Sequence, residues 1–262
     1  MRRMLIIILA AALFIPAAAS AALAASAVPA ISADDGLHFT SSPNELAIDA
    51  LFDGTTITVS GTVPEGAQVI VRFIGLPETI HMKWKEKAMG LLWMNRQNVN
   101  FEDAPSVCLT AVTEGVDEAA RKHYGVEGVL DRIKVESKEI AAEPALKEFL
   151  LYKERAKLYT DDAGKAVLEP PKDGFQDFHA DLRLPSRITP GQYTLEVFAL
   201  RDGQILAKGV SHMDAKFVGA PAMMAGMAFN HGALYGILAV IAAIIGGLVI
   251  GRIFQGSGGG AH

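Results

Sequence analysis

The stretch TITVSGTVPEGAQVIVRF, residues 56–73, contains the pattern that decides the fold. Its two ends, residues 56–61 and 68–73, are short runs rich in β-branched side chains, and Pro64-Glu65-Gly66 separates them. Short runs of this composition that are punctuated by Pro and Gly are typical of neighbouring antiparallel strands. The stretch therefore predicts a domain built mainly from β-strands.

Comparable runs occur on both sides of this stretch. Asp202-Gly203 predicts a two-residue hairpin turn between two of them. Pro190-Gly191-Gln192-Tyr193 resembles the tyrosine corner of immunoglobulin-like (Ig-like) sandwiches. We therefore predict a mainly β fold, an Ig-like antiparallel sandwich. Its further strands are residues 45–51, 91–94, 106–112, 175–184, 193–200 and 204–210.

The spacing of apolar residues changes in the middle of the chain. Residues 116–133 and 144–159 carry apolar side chains at helical spacing, and Ala145 and Phe149 lie on one stripe of the second segment. Such segments would pack against a face or an edge of the sheet. The predicted exported domain comprises residues 41–220, with a two-helix insertion at about 116–159.

The first residues have the form of a secretory signal. Met1-Arg2-Arg3 is a short basic segment, and residues 5–15 form an apolar core. Ala22-Leu23-Ala24 fits the small-x-small rule for cleavage. We predict a cleaved signal peptide at residues 1–24 and a flexible linker at residues 25–40.

A second apolar segment, ALYGILAVIAAIIGGLVIG, occupies residues 233–251 and contains no charged residue. At about 1.5 Å per residue, a helix of this length crosses a bilayer. Arg252 follows it, and the positive-inside rule then places residues 253–262 in the cytoplasm. We predict a single-pass protein of the bacterial cytoplasmic (inner) membrane, with a transmembrane helix at residues 230–252 and a periplasmic N-terminal domain.

One face of this helix carries a small residue at every fourth position. The four residues are Ala239, Ala243, Gly247 and Gly251. Small residues at this spacing allow two helices to approach closely. The face predicts association of the helix with itself or with a polytopic permease. The alternative is that Ala and Gly are simply common in membrane helices.

The net charge of the chain excludes some classes of partner. The chain has 24 basic and 29 acidic residues, and three of the basic ones, Arg2, Arg3 and Arg252, lie in the terminal segments. The exported part is therefore left with 21 basic residues and a net charge of about −8. It has no basic excess with which to recruit nucleic acid or anionic lipid.

The sequence offers no motif for catalysis. A G-x-S-x-G nucleophile elbow, an H-E-x-x-H metalloprotease motif and a phosphate-binding loop are all missing. Cys108 is the single cysteine, which rules out an internal disulfide and a multi-cysteine zinc site. The seven histidines are scattered without metal-ligand spacing. We therefore predict a protein that is not an enzyme and needs no metal or cofactor.

A basic segment that contains both tryptophans differs from the rest of this acidic domain. Its candidate residues for anion or partner binding are Lys83, Trp84, Lys85, Lys87, Trp93 and Arg96. Clustered cations would bind a small anion or an acidic partner surface. The alternative is a solvated strand edge, where lysines discourage aggregation.

A second cluster consists of Met223, Met224 and Met227, near His212-Met213 and His231. Thioether and imidazole ligands suit Cu(I) outside the cytoplasm. Methionine is also an ordinary filler of apolar surface near a membrane. The cluster supports the alternative hypothesis, which is a periplasmic copper-handling protein.

Several segments, taken in their order, resemble one protein family. They are residues 85–95 (KEKAMGLLWMN), 104–106 (APS), 158–159 (LY), 190–193 (PGQY), 201–203 (RDG) and 231–236 (HGALYG). From about Leu46 to Phe254, the chain resembles an uncharacterised family of transmembrane proteins first noted in alphaproteobacteria. Members of that family are often encoded beside sulfite- or organosulfonate-exporter-like permeases. The resemblance implies an accessory role beside such a permease and supplies no catalytic residues.

The leading hypothesis is a non-enzymatic, membrane-anchored periplasmic accessory or binding protein that assists a sulfur-oxyanion-type permease. Its helix would pair with the permease, and its basic segment would engage the outer surface of the partner or a small anion. An enzyme with a site that no motif reveals is a third hypothesis. It would require a buried pocket lined by convergent titratable groups.

Overall fold

A computed structural model of this protein describes residues 37–88 and 90–255. The predicted signal peptide lies outside these residues. So do residues 25–36 of the predicted linker and residues 256–262 of the predicted tail.

The described residues form twelve strands and five helices. The strands are β1 (His38–Ser42), β2 (Glu45–Ile48), β3 (Thr55–Pro64), β4 (Gln68–Gly75), β5 (Pro77–Ala88), β6 (Leu92–Pro105), β7 (Cys108–Val112), β8 (Lys134–Glu136), β9 (Tyr159–Leu168), β10 (Phe175–Leu184), β11 (Gly191–Arg201) and β12 (Gln204–Phe217). The helices are α1 (Glu118–Tyr124), α2 (Val126–Leu130), α3 (Ala142–Arg155), α4 (Gly219–Asn230) and α5 (Gly232–Gln255).

Nine of the strands form one sheet, in the order β1-β3-β10-β9-β7-β4-β11-β12-β2. Neighbouring strands pair antiparallel, except that β7 with β9 and β12 with β2 are parallel. The remaining strands, β5, β6 and β8, form a second sheet. The predicted fold class, mainly β with inserted helices and a C-terminal apolar helix, is therefore confirmed.

The nine-stranded sheet curls around a single core, which we call the main core. In β10, Phe178, Ala180 and Leu182 are buried while the polar residues between them are exposed, as alternation along a strand requires. The other strands add buried side chains to the same core. Phe39 of edge strand β1 leaves no room for a side chain at Gly209 of β12, near the opposite edge. The two halves of the sheet thus face each other, as the layers of a sandwich do.

Two predicted turn motifs are present. The Tyr193 hydroxyl donates a hydrogen bond to the Thr189 carbonyl (2.6 Å), and the Tyr193 ring stacks on Phe73 with the centroids 4.9 Å apart. This is the geometry of a tyrosine corner. Asp202 and Gly203 have φ angles of 52° and 76°, which the tight turn between β11 and β12 requires.

The helical insertion differs in detail from the prediction. Residues 116–133 form two short helices, α1 and α2, with a break at Gly125, where a side chain would collide with Asp161. α3 ends at Arg155, and Lys157 adopts a φ of 59° that turns the chain toward β9. The strand pattern did not predict β9, because polar residues interrupt its sequence, YTDDAGKAVL.

α1, α2 and α3 pack on the outer face of β4, β7 and β9, and the smaller sheet packs against α3. Phe101 of β6 stacks on Phe149 of α3 with the centroids 4.6 Å apart, and Tyr159 meets Phe149 edge-on at 5.8 Å. These rings form a second core with side chains of α2 and β5. α1 covers the adjacent part of the sheet, where Ile70 and Phe198 are buried. β4 is consequently buried on both faces, which explains its nearly uninterrupted apolar sequence.

Within the described residues, α5 is the helix that is long and apolar enough to cross a membrane, over Gly232–Arg252. α4 precedes it and carries no charged residue. The last strand of the main sheet, β12, therefore leads through α4 into the membrane-crossing helix.

Candidate functional site

A two-stranded ribbon, β5 paired with β6, carries the basic segment away from the main sheet. It continues the β4–β7 pair: the Gly75 N–H donates to the Val107 carbonyl (2.9 Å), and the Ser106 N–H donates to the Leu76 carbonyl (3.2 Å). A side chain at Gly75 would collide with Ser106, so the junction requires glycine. The same two chain segments thus build the main core and hold the candidate binding residues.

A groove of about 470 Å³ lies between this ribbon and α3, within the size range of small-molecule sites. The ribbon lines it with Met82, Lys83, Trp84, Lys85, Trp93, Val99 and Phe101. α3 lines it with Ala145, Glu148, Phe149, Leu151, Tyr152 and Arg155. The walls are mostly aromatic and apolar, and three cations and one carboxylate supply the charges.

The groove brings together four of the six residues predicted from the basic segment. Lys83, Trp84, Lys85 and Trp93 line it. Lys87 contacts one of them, because its Nζ lies 5.4 Å from the ring centroid of Trp93. Trp84 is half-buried against the second core, whereas Trp93 is mostly exposed. The structure thus places four of these residues around the groove and Lys87 against Trp93, and their role in binding stays a prediction.

Arg96, the sixth predicted residue, is engaged elsewhere. Its guanidinium pairs with Glu86 at 2.9 Å and with Glu139 at 3.2 Å. The charge of Glu86 is the main cause that raises the pKa of Arg96, and Glu139 adds to it. Both pairs are exposed to solvent, so each contributes little to stability. Arg96 therefore ties the ribbon to the segment before α3 and does not line the groove.

Arg155 is the groove cation that the sequence analysis did not single out. It lies in the last turn of α3, and Glu148 and Tyr152 precede it by seven and three residues. This spacing puts the three side chains on one face of the helix. The helical pattern could have indicated that face, but nothing in the sequence places α3 beside the ribbon.

Lys153 joins α3 to the base of the ribbon and is only 3% exposed. Its ammonium donates to the carbonyls of Ser106 (2.9 Å) and Pro105 (3.3 Å). The Tyr159 hydroxyl also donates to the Pro105 carbonyl (2.8 Å), and the Tyr159 ring centroid lies 5.2 Å from the ammonium. Burial lowers the pKa of Lys153, and the charge of Glu78 partly opposes this effect. Lys153 thus holds the ribbon in place beside the groove.

A buried ionic cluster lies on the outer face of the main sheet. Arg72 donates through Nε to Glu196 (2.8 Å), and the Lys208 ammonium lies 2.7 Å from the other carboxylate oxygen. Burial opposes the ionisation of Glu196, but Arg72 and Lys208 prevail and lower its pKa. Arg72 also donates to the Tyr124 carbonyl (2.9 Å) and lies over the Phe198 ring. The cluster therefore joins three strands to α1 and has a structural role.

Cys108 lies at the start of β7 and is fully buried. Burial is the main cause that raises the pKa of its thiol, to about 12, and the charge of Arg72 opposes part of this effect. A thiol with this pKa stays protonated at neutral pH, and the protonated form is not a nucleophile. Cys108 is therefore a packing residue of the second core.

The structure buries one residue of the Met/His cluster and leaves others exposed. Met213 is buried in the main core, whereas Met223 and Met224 are exposed on α4. His212 lies on β12, with Nδ1 3.4 Å from the Thr194 hydroxyl. In residues 37–88 and 90–255, no group of three or more His, Cys, Asp or Glu side chains is arranged to hold a metal ion. Copper handling stays a prediction, and Met213 is too buried to be one of the copper ligands.

The four small residues of α5 lie exposed along the helix. Ala239, Ala243, Gly247 and Gly251 follow one another at every fourth position of this 24-residue helix, and so they share one face. A Cβ at Gly247 or Gly251 would meet nothing within 4 Å in the described part of the chain. Another helix therefore has room to approach this face, and the association itself stays a prediction.

The sequence matches none of the curated proteins with which it was compared. Among solved structures, one similar chain belongs to the work described as "Structural basis of T cell specificity and activation by the bacterial superantigen toxic shock syndrome toxin-1". The two chains share 6% identity with a TM-score of 0.28, over 70% of this chain and 100% of that one. A similarity this weak indicates neither the fold nor the function of this chain.

Residues 36–256 match the family described as "Putative transmembrane protein (Alph_Pro_TM)". The chain therefore belongs to this family of transmembrane proteins.

Proposed function

We propose that this protein is a non-enzymatic, membrane-anchored accessory protein whose periplasmic domain binds an organic anion for a neighbouring permease. The observation that carries the proposal is the groove between the ribbon and α3. It holds three cations and one carboxylate, although the domain around it has an excess of acidic residues. A local excess of positive charge in an acidic domain favours an anionic ligand.

The lining of the groove indicates the class of anion. Lys83, Lys85 and Arg155 can pair with an anionic group, and the fork of an arginine suits sulfonate, phosphate or carboxylate oxygens. Trp84 and Trp93 supply rings that pack against an apolar body. An organic anion with an apolar part therefore fits the groove better than a bare inorganic ion. Sulfonates are the first class to test, because of the resemblance to proteins encoded beside organosulfonate-exporter-like permeases.

The position of the groove supports an accessory role. The domain is joined to a membrane-crossing helix, so a bound ligand would be held close to the membrane surface. The small-residue face of α5 would place a polytopic permease beside the domain. The buried groups near the groove favour binding over catalysis, because Lys153 is bonded to carbonyls and the Cys108 thiol is protonated.

Calorimetric titration of the full-length protein in lipid nanodiscs tests the ligand. Naphthalene sulfonate should bind, whereas naphthol, which lacks the charge, and sulfite, which lacks the apolar body, should bind more weakly. Arg155→Glu should weaken the binding of naphthalene sulfonate about tenfold or more, because a charge-assisted contact is replaced by repulsion. Lys172→Glu is the matched control: Lys172 is exposed just before β10, at the end of the main sheet away from the ribbon. Unchanged affinity in Arg155→Glu would contradict the proposed site.

A further inference from the structure

The free end of the ribbon carries four consecutive apolar residues that the fold leaves exposed. Leu91, Leu92, Trp93 and Met94 are 85%, 68%, 67% and 56% exposed. Single exposed apolar residues are normal on a protein surface, but a contiguous group marks an interaction surface. These four residues are called the apolar tip below.

Both faces of the ribbon are apolar at this tip. β6 begins at Leu92, and successive residues of a strand point to opposite faces. Leu92 and Met94 therefore lie on one face and Trp93 on the other. A flat protein surface would cover one face and leave the other in water. Lipid surrounds an inserted segment on all sides and covers both.

The ribbon leaves the main sheet at the same end as the chain that leads to the membrane helix. Gly75 of β4 and Met213 of β12 both pair with Tyr193 of β11, and β4 and β12 run in the same direction. β4 continues into the ribbon, whereas β12 continues through α4 into α5. The 12 residues of β5 span about 40 Å at about 3.3 Å per residue. The apolar tip thus has the reach to meet the membrane that α5 crosses.

Three lysines lie behind the tip on β5. Lys83, Lys85 and Lys87 alternate along the strand and are exposed, and Lys87 lies over the ring of Trp93. Lysine and tryptophan are the side chains that occupy the headgroup layer, where the ammonium reaches the phosphates and the ring lies at the apolar boundary. Because the domain is acidic overall, burial of apolar side chains has to provide most of the attraction.

We propose that the apolar tip inserts into the bilayer leaflet on the domain's side of the membrane. α5 and the tip then attach the domain at two points. Leu91, Leu92 and Met94 enter the acyl layer, Trp93 lies at its boundary with the headgroups, and Lys87, which lies over the Trp93 ring, contacts the lipid phosphates. This inference does not rest on the proposed ligand, because Leu91, Leu92 and Met94 do not line the groove.

The two tryptophans of the sequence allow a direct test on the full-length protein in phosphatidylcholine vesicles. Trp84→Phe leaves Trp93 as the single tryptophan, and Trp93→Phe leaves Trp84 as the matched control. In vesicles whose acyl chains carry bromine, Trp93 should lose most of its fluorescence, because bromine quenches by contact. Trp84 should lose little, because it packs against the second core.

Substitutions at the tip complete the test. In the Trp84→Phe background, Leu91→Asp with Leu92→Asp should restore the fluorescence of Trp93 in brominated vesicles. Ile205→Asp, an exposed position at the opposite end of the main sheet, should leave the quenching unchanged. Circular dichroism checks that each variant is folded. The proposal is overturned if bromine does not quench Trp93, whether acrylamide quenches it from water or a protein surface shields it from both.

Discussion

Lys153 shows how one buried side chain shapes the candidate site. Its ammonium donates hydrogen bonds to the carbonyls of Pro105 and Ser106 at the base of the ribbon, and it is one of the buried residues of α3. A charge in this position is tolerated because carbonyl oxygens and aromatic ring faces surround it. The sequence pattern predicted a helix here but not the burial of this lysine, since a lysine on a helix is more often exposed.

The pH dependence of stability should report the environment of Lys153. Its pKa in the folded protein lies below 10.5, so between that pKa and 10.5 the unfolded chain binds more protons than the folded one. The contribution of Lys153 to the free energy of unfolding is therefore smallest below the folded pKa. It rises as the pH increases toward 10.5.

Urea unfolding of the wild type and of Lys153→Met, from neutral pH to pH 10.5, measures this effect. Methionine keeps most of the stem but cannot titrate, so the wild type should gain stability relative to the variant as the pH rises. A difference between the two proteins that stays constant over this range would contradict the assignment. Lys172→Met, at an exposed position, controls for the loss of one lysine charge from the protein.

At the scale of the element, alternation and β-branched residues predicted the strands of the main core. β3, β4 and β11 agree with residues 56–61, 68–73 and 193–200, because packing on the main core requires apolar side chains at alternate positions. The ribbon was only partly predicted. Its strand β5 contains HMKWKEK, in which lysines occupy the exposed positions and hide the strand pattern.

The groove could be predicted only in part, because its two walls come from distant parts of the sequence. The cations and tryptophans of the ribbon are close in sequence, so they were found together. Arg155 is about 60 residues away and reaches the groove because α3 packs on the ribbon, where Phe149 stacks on Phe101. A single sequence contains no signal for that tertiary contact.

For α5, we predict association through its small-residue face. Gly247→Leu with Gly251→Leu should abolish association of the helix, because the larger side chains prevent close approach. Chemical crosslinking in native membranes, followed by purification of the full-length protein, measures association with itself or with a permease. Val249→Phe adds bulk on the opposite face and is the matched control. A complex that survives the double substitution would show that this face is not the contact.

At the scale of the whole molecule, the orientation in the membrane can be tested with reporters fused to the C-terminus. Green fluorescent protein placed there should fluoresce, and alkaline phosphatase should be inactive, because Arg252 favours a cytoplasmic end. Alkaline phosphatase fused after Val218, before α4 and α5, is the control and should be active. The reverse pattern would place the domain in the cytoplasm and remove the basis for a periplasmic binding protein.

The buried Cys108 has a practical consequence for chemical labelling of this protein. Because its thiol is enclosed and stays protonated, a cysteine introduced on the surface would be the reactive thiol of the described domain. Spin labels or fluorophores can therefore be attached at one or two chosen positions, with no other change to the chain. A label at Leu91 and another at Gly232 would measure the spacing between the end of the ribbon and the start of the membrane helix in a real bilayer.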